Sequence, residues 1–422
     1  MTRGPSSYYF PVLMKIWLFV LCFTLSAQAA DWPRWRGVMG DGAWNPEGIP
    51  ADFASQQPKE LWQVEIGSGY GGVTVSGGRV YVLDRPKEPA DIERILCYAE
   101  ASGKLLWSYT WPAVYGRMQY ASGPRSSVNL DEGRAYVLGA AGMALCLDSM
   151  SGKVVWQVDT VKEHAAKIPT WGFAASPVLD GGRVLLHVGA QPDGSVLALD
   201  KTTGRLLWRG GADPAGYCTP EIINHEGIRQ IIAWGPENIQ SLNPETGETL
   251  WTYPYKITYG VSIAQPLYQD GILLVSGYWH GTKALRLTAQ PTLLWENEKD
   301  MCGLMSSPLY KEGMVYLLDK NKGLQAFELA TGKIRWSDDN RLTPKDRNPQ
   351  MSLVWLRESQ GLAALLNASG ELVYVRLQPE GFEELARHQM IGKTWAHPAF
   401  VGNKIYARSD TALVAWRLWG ED

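Results

Sequence analysis

Short runs rich in Val and Leu recur along the chain, separated by Gly, Asp and Thr turns. Runs bounded in this way predict β-strands. Residues 176–179, 182–188, 195–199 and 204–208 give four such runs in succession, so this stretch predicts a four-stranded sheet ending on Trp208. The closing phrase repeats. Residues 198–208 and 326–336 both read A-x-[DE]-x-x-T-G-x-x-x-W, and looser copies end on Trp107, Trp156 and Trp251, each with Gly four positions before the Trp. Trp62, Trp107, Trp156, Trp208, Trp251, Trp295 and Trp336 are spaced by 45, 49, 52, 43, 44 and 41 residues. A period of about 40–50 residues with four strands each is the signature of a β-propeller.

The phrase has a physical logic. Asp and Thr-Gly close a tight turn between the third and fourth strands. The Ala is small enough to sit against a neighbour, and the indole covers the seam between adjacent blades. Six blades end at the docking residues Trp107, Trp156, Trp208, Trp251, Trp295 and Trp336. A seventh, from Met351 to about His388, keeps the pattern without its Trp, and the strand from Phe382 to Arg387 takes that place. The stretch from Ala399 to Leu418 has three strands, while Leu61, Trp62, Gln63 and Val64 belong to no blade of their own. A blade cannot bury both faces alone, so these two pieces are expected to join and lock the ring. The prediction is an all-β, eight-bladed propeller of four-stranded blades, one domain over residues 31–422, closed by its N- and C-terminal strands.

Residues 1–30 read as a signal peptide. Arg3 and Lys15 precede the apolar run 16–25, and Ser26, Ala27, Gln28, Ala29 and Ala30 supply an A-x-A cleavage site. Met14 offers an alternative start. Cys22 follows Leu21, whereas a lipoprotein site needs a small residue there, so no lipid anchor is expected. The mature chain has no other run long enough to span a bilayer. It is therefore expected to be periplasmic or secreted, and monomeric. With 40 Lys+Arg against 43 Asp+Glu the chain lacks a basic footprint, which excludes nucleic acid as a natural partner.

Motifs for chemistry are scarce. There is no H-E-x-x-H, C-x-x-C-H, G-x-S-x-G or phosphate loop. Asp319, Asn321 and Gly323 resemble the start of a calcium loop, but position twelve is Ala330 rather than Glu, so a plain turn and no metal are expected. Cys97 and Cys146 stand at the small-residue position of the phrase and read as buried apolar residues. Cys218 and Cys302 lie in loops of different blades, too far apart around the ring to suggest a bridge.

With Ser-Pro at the blade starts 176–177 and 307–308, the Trp phrase resembles the tryptophan-docking repeat of pyrroloquinoline-quinone (PQQ) propellers. That superfamily includes quinoprotein alcohol dehydrogenases and the propeller lipoprotein of the outer-membrane β-barrel assembly machinery. The stretch Asp31, Trp32, Pro33, Arg34, Trp35, Arg36 and Gly37, followed by Asp41 and Gly42, is similar to the opening of many exported bacterial members. The likeness covers nearly all of residues 31–422 and speaks for fold more than for activity. Quinoprotein dehydrogenases hold PQQ between a floor Trp and a disulfide of adjacent cysteines, with calcium on Glu, Asn and Asp oxygens. This chain has no adjacent Cys pair, so no cofactor is expected, and PQQ with calcium belongs to an alternative reading as a dehydrogenase of alcohols or sugars.

What remains is the face built by loops joining one blade to the next, the usual binding surface of propellers. Residues 108–124 carry Trp111, Tyr115 and Tyr120, and residues 157–177 carry His164 and Trp171. Residues 252–266 carry Tyr253, Tyr255 and Tyr259, and residues 390–398 carry Trp395 and His397. Arg125, Tyr217, Glu221, Gln265 and Asp300 add polar groups expected near the axis. The pattern favours a non-catalytic scaffold that binds an envelope or secreted protein, or a glycan, through this face.

Overall fold

The computed structural model describes residues 1, 2, 4, 31–120 and 122–420. The apolar run and cleavage site of the expected leader lie outside the described residues. Eight four-stranded antiparallel sheets follow one another along the chain. Seven are built from consecutive strands within residues 74–112, 129–159, 178–210, 221–254, 267–297, 309–337 and 351–389. The eighth takes three strands from residues 399–417 and its outer strand, Lys59–Glu65, from the other end. That strand runs antiparallel to Ala412–Arg417, with Trp62 opposite Ala415 and Val64 opposite Leu413. The ring is thus closed as the sequence predicts, by a sheet that joins both ends of the propeller.

Within each sheet the first strand is innermost. Thr74–Ser76 touches the first strands of both neighbours, Asn129–Asp131 and Ala399–Val401. The middle strands are buried on both faces: every residue of Leu362–Asn367 is inaccessible, which explains the unbroken apolar runs. The outer strands face water on one side, and Leu105–Pro112 alternates accordingly.

The seams repeat one contact. Asp200 accepts hydrogen bonds from the backbone N–H groups of Thr202 (3.0 Å) and Thr203 (2.8 Å) and from both hydroxyls. These donors hold its carboxyl down to about 2. The turn they fold ends on Gly204 with φ +73°, against whose Cα the Trp156 ring of the preceding blade is pressed; a Cβ there would lie 2.8 Å from the indole. Trp156 Nε1 donates to Lys201 O, three residues before that Gly, at 3.0 Å. Trp62, Trp107 and Trp295 repeat the arrangement on Gly103, Gly152 and Gly332, donating to the carbonyls of Glu100, Ser149 and Leu329. Trp336 donates to Gln378 O of the seventh blade and packs on Phe382. Trp208 lies on Gly247, but its Nε1 has no partner among the described residues.

Trp251 departs from the set. It sits in the core shared by the fourth and fifth blades but donates to Gln230 Oε1 of its own blade. The reason lies in the next blade, whose third and fourth strands are joined by Leu287, Thr288, Ala289, Gln290 and Pro291, a turn without the Thr-Gly step. In the seventh blade Ala386 stands opposite Tyr374 where other blades place Trp, and the same register shift follows.

The segment before Lys59 crosses the axial channel. Trp32 exchanges backbone hydrogen bonds with Val75 of the first blade, and Pro33 O accepts from Leu130 N of the second. At its other end Trp44 N donates to Trp355 O of the seventh blade, and Trp355 N donates to Gly42 O. Between these anchors Arg36 is held in the channel, donating through Nη2 to the carbonyls of Asp41 and Pro308. No helix among the described residues is long and apolar enough to cross a membrane.

Candidate functional site

All eight connections between one blade's outer strand and the next blade's inner strand contribute to one cavity of about 570 Å³ at the channel mouth. Its floor is Trp35 and Arg36 from the crossing segment, and Arg36 also borders a smaller cavity of about 200 Å³ beneath. The crossing segment therefore divides the channel into an upper and a lower chamber.

The upper chamber is walled by rings in three groups. Trp395 lies tilted at 5.6 Å from Tyr70 and 5.9 Å from Tyr120. Trp171 lies 5.5 Å from Tyr217, and Trp279 lies 5.3 Å from Tyr259 and 4.4 Å from Tyr278. Tyr259 is 71% exposed, and Tyr120 and Trp279 also reach solvent, so the rim presents aromatic surface.

The predicted residues divide between the chambers. Arg125, Trp171, Tyr217, Trp395 and His397 line the upper one. Glu221 and Gln265 line the lower one, because both sit where an inner strand begins, below the crossing segment. Asp300 lines neither; it lies in the 298–308 connection, where its backbone N–H donates to Asn297 Oδ1 in a local turn. Trp111 and Tyr115 leave the loop face for the core, where both donate to the buried carboxylate of Glu93, which also receives Ala140 N. Tyr255 is likewise buried, donating to Gly281 O. His164 ends the short helix Thr160–His164, and Tyr253 lies within the strand Thr249–Pro254. Sequence reasoning missed Trp35 and Arg36, which arrive from the N-terminal segment, and Tyr278 and Trp279, from the turn between the second and third strands of the fifth blade. The Ser-Pro and Trp phrases carry no signal for either.

Arg125 acts as a brace. Its Nη1 donates to Gly123 O, its Nη2 to the carbonyls of Gln119 and Tyr120, and its guanidinium lies 5.3 Å from the Tyr70 ring. Burial lowers its pKa. His397 is 9% exposed, and burial together with the nearby Arg36 charge pulls it down to about 3, so the ring is neutral. Its Nδ1 carries the proton, because its partner at 2.9 Å is the carbonyl of Pro398. In the lower chamber burial pushes Glu221 up to about 7, against the pull of Arg36.

A calcium-anchored PQQ does not fit this mouth. The residues lining the upper chamber include no Asp or Glu, and among the described residues no three His, Cys, Asp or Glu side chains are grouped to hold a metal. Cys97, Cys146, Cys218 and Cys302 are buried, unpaired and nowhere adjacent in sequence. Asp319 spends its carboxylate on the N–H groups of Asn321, Lys322 and Cys302, a turn rather than a calcium loop.

The sequence signature of the outer membrane protein assembly factor BamB family matches residues 91–256 and 235–421, more than half of the chain. The chain belongs to this family. BamB of Moranella endobia is 24% identical over 312 residues, 66% of this chain and 72% of that protein. The crystal structure of BamB from Moraxella catarrhalis superposes with a TM-score of 0.60 at 17% identity, covering 86% of this chain and 98% of that one. The quinohemoprotein alcohol dehydrogenase of Comamonas testosteroni superposes with a TM-score of 0.65 at 14% identity, covering 93% and 81%. At these identities the solved structures speak for the fold alone.

Proposed function

We propose that this protein is an exported, non-catalytic propeller scaffold of the cell envelope that holds a protein partner against its loop face. In this reading it leaves the cytoplasm by the leader at 1–30, works in the periplasm and takes part in outer-membrane protein assembly, as the family name suggests. In the same reading it works as a monomer, one chain supplying all eight blades. The observation that supports it most is the aromatic rim of Tyr120, Tyr259 and Trp279 around a mouth walled by Trp171 and Trp395. Rigid rings on a stiff ring of blades offer apolar area with polar tips at little entropic cost, the composition of interface anchors.

Two measurements test the reading. Trp171→Ala and Trp395→Ala are expected to weaken capture of the envelope partner about tenfold, a loss of about 1.4 kcal/mol each, while the melting temperature stays near that of the parent protein. Desalted protein treated with PQQ and calcium is expected to keep no cofactor absorbance and to reduce no dye with alcohols or sugars. Retained absorbance together with alcohol-dependent dye reduction overturns the scaffold in favour of a dehydrogenase.

A further inference from the structure

Arg36 stands in the floor of the upper chamber with 4% of its surface exposed, and it makes no ion pair among the described residues. Its Nη2 is spent on two backbone carbonyls and its Nε has no partner among the described residues. The nearby carboxylates, Glu221 and Asp41, border the lower chamber. The Glu221 and Asp41 carboxylates act on Arg36 only from a distance, and neither hydrogen-bonds its guanidinium, so the buried charge is incompletely compensated and points to an anion received from outside. The upper chamber suits one: no carboxylate lines it, and Arg347 stands exposed at its rim.

Two more buried polar atoms of residues lining this chamber lack partners, and they differ in hydrogen-bonding sense. His397 gives its Nδ1 proton to Pro398 O, which leaves Nε2 as an acceptor. Trp171 Nε1 can only donate. A hydroxyl answers both, whereas a carboxylate or a peptide carbonyl cannot donate to His397. The rings of Trp171 and Trp395 supply flat apolar faces, and a volume of about 570 Å³ is within the usual range for small-molecule sites.

We propose that the upper chamber binds an acidic saccharide, a pyranose unit carrying a carboxylate or a sulfate, with its charge toward Arg36 and its hydroxyls toward His397 and Trp171. This ligand is additional to the protein partner.

The test is titration of the purified protein, by calorimetry and Trp fluorescence, with four probes: trigalacturonate, a chondroitin 4-sulfate disaccharide, maltotriose and hexaglutamate. Saturable binding is expected for trigalacturonate or the sulfated disaccharide, at least about tenfold tighter than for maltotriose or hexaglutamate. The disaccharide carries a uronate carboxylate besides its sulfate, so binding of trigalacturonate shows that a carboxylate suffices, and binding of the disaccharide alone assigns the sulfate. Arg347→Gln is expected to weaken that binding about three- to tenfold, and Trp395→Ala at least about tenfold, with unchanged melting temperatures. Arg36→Gln is the obvious variant but also loosens the crossing segment, so the probe panel and the rim variant carry the test without it. The proposal is overturned if neither acidic saccharide saturates, if maltotriose binds as tightly, or if hexaglutamate does. Trp395→Ala lowers both bindings, so the two readings are told apart by Arg347→Gln and the probe titrations, which contain no protein partner: their failure overturns the saccharide while capture of the partner can still stand.

Discussion

Trp156 and Trp171 carry the same indole fifteen residues apart, and the fold uses them in opposite ways. Trp156 is 7% exposed, lies flat on Gly204 of the next blade and has its N–H satisfied by Lys201 O. Trp171 faces the channel mouth, touches Tyr217, and its N–H has no partner among the described residues. At this seam the repeat satisfies the N–H of the ring, as it does for Trp62, Trp107 and Trp295. At the mouth the ring is left for something else. The difference marks off structure from function in a molecule built of one recurring blade.

The largest effect is expected at the seam. Trp156→Ala removes a buried aromatic and its hydrogen bond, and urea unfolding should register a loss of roughly 3–5 kcal/mol. Gly204→Ala attacks the same contact from the other side, placing a methyl 2.8 Å from the ring at a φ of +73°. A loss of roughly 1–3 kcal/mol is expected there. A Trp171→Ala loss of similar size would abolish the distinction, since it would make the mouth ring part of the core.

The lower chamber gives a smaller effect that depends on pH. The carboxyl of Glu221 is pushed up to about 7 in the folded protein, facing Arg36, Arg34 and Asp41. The folded state thus holds the proton more tightly than the unfolded chain, whose carboxyl titrates at an ordinary pKa. The stabilising contribution of the protonated form is complete below about pH 4 and is lost as pH rises through 7. Glu221→Gln removes this dependence. Its stability relative to the parent protein should grow between pH 5 and pH 8, by on the order of 1–3 kcal/mol. A difference that stays flat over that range would show that the Glu221 carboxyl is well solvated. Trp171→Ala comes last in stability, with a loss under about 1 kcal/mol expected in the same urea assay.

The architecture was legible because it is repeated. Trp62 at one end and the unfinished sheet after Ala399 at the other announced the closure, and the Thr-Gly turns announced the seams. The exceptions followed local chemistry: Trp251 lost its docking turn to Leu287–Pro291 and found Gln230 instead. The site was only half legible, because nothing in it repeats. Arg125, Tyr217 and Trp395 could be placed at the mouth from the loop positions alone. Glu221 and Gln265 could not be separated from them, since what divides the chambers is the path of residues 31–44, which no strand pattern describes. Trp111 and Tyr115 read as loop aromatics because their partner, Glu93, lies on a different strand and looks in sequence like an ordinary polar position.

The account's central claim is that the mouth, and not the opposite face, meets the partner. A photo-cross-linking residue placed at Tyr259, on the mouth, and at Ile228, 58% exposed in a strand that begins at the other face, tests it in intact envelopes. The scaffold reading predicts one discrete adduct from position 259 and none from position 228. An adduct from position 228 with none from 259 would contradict it.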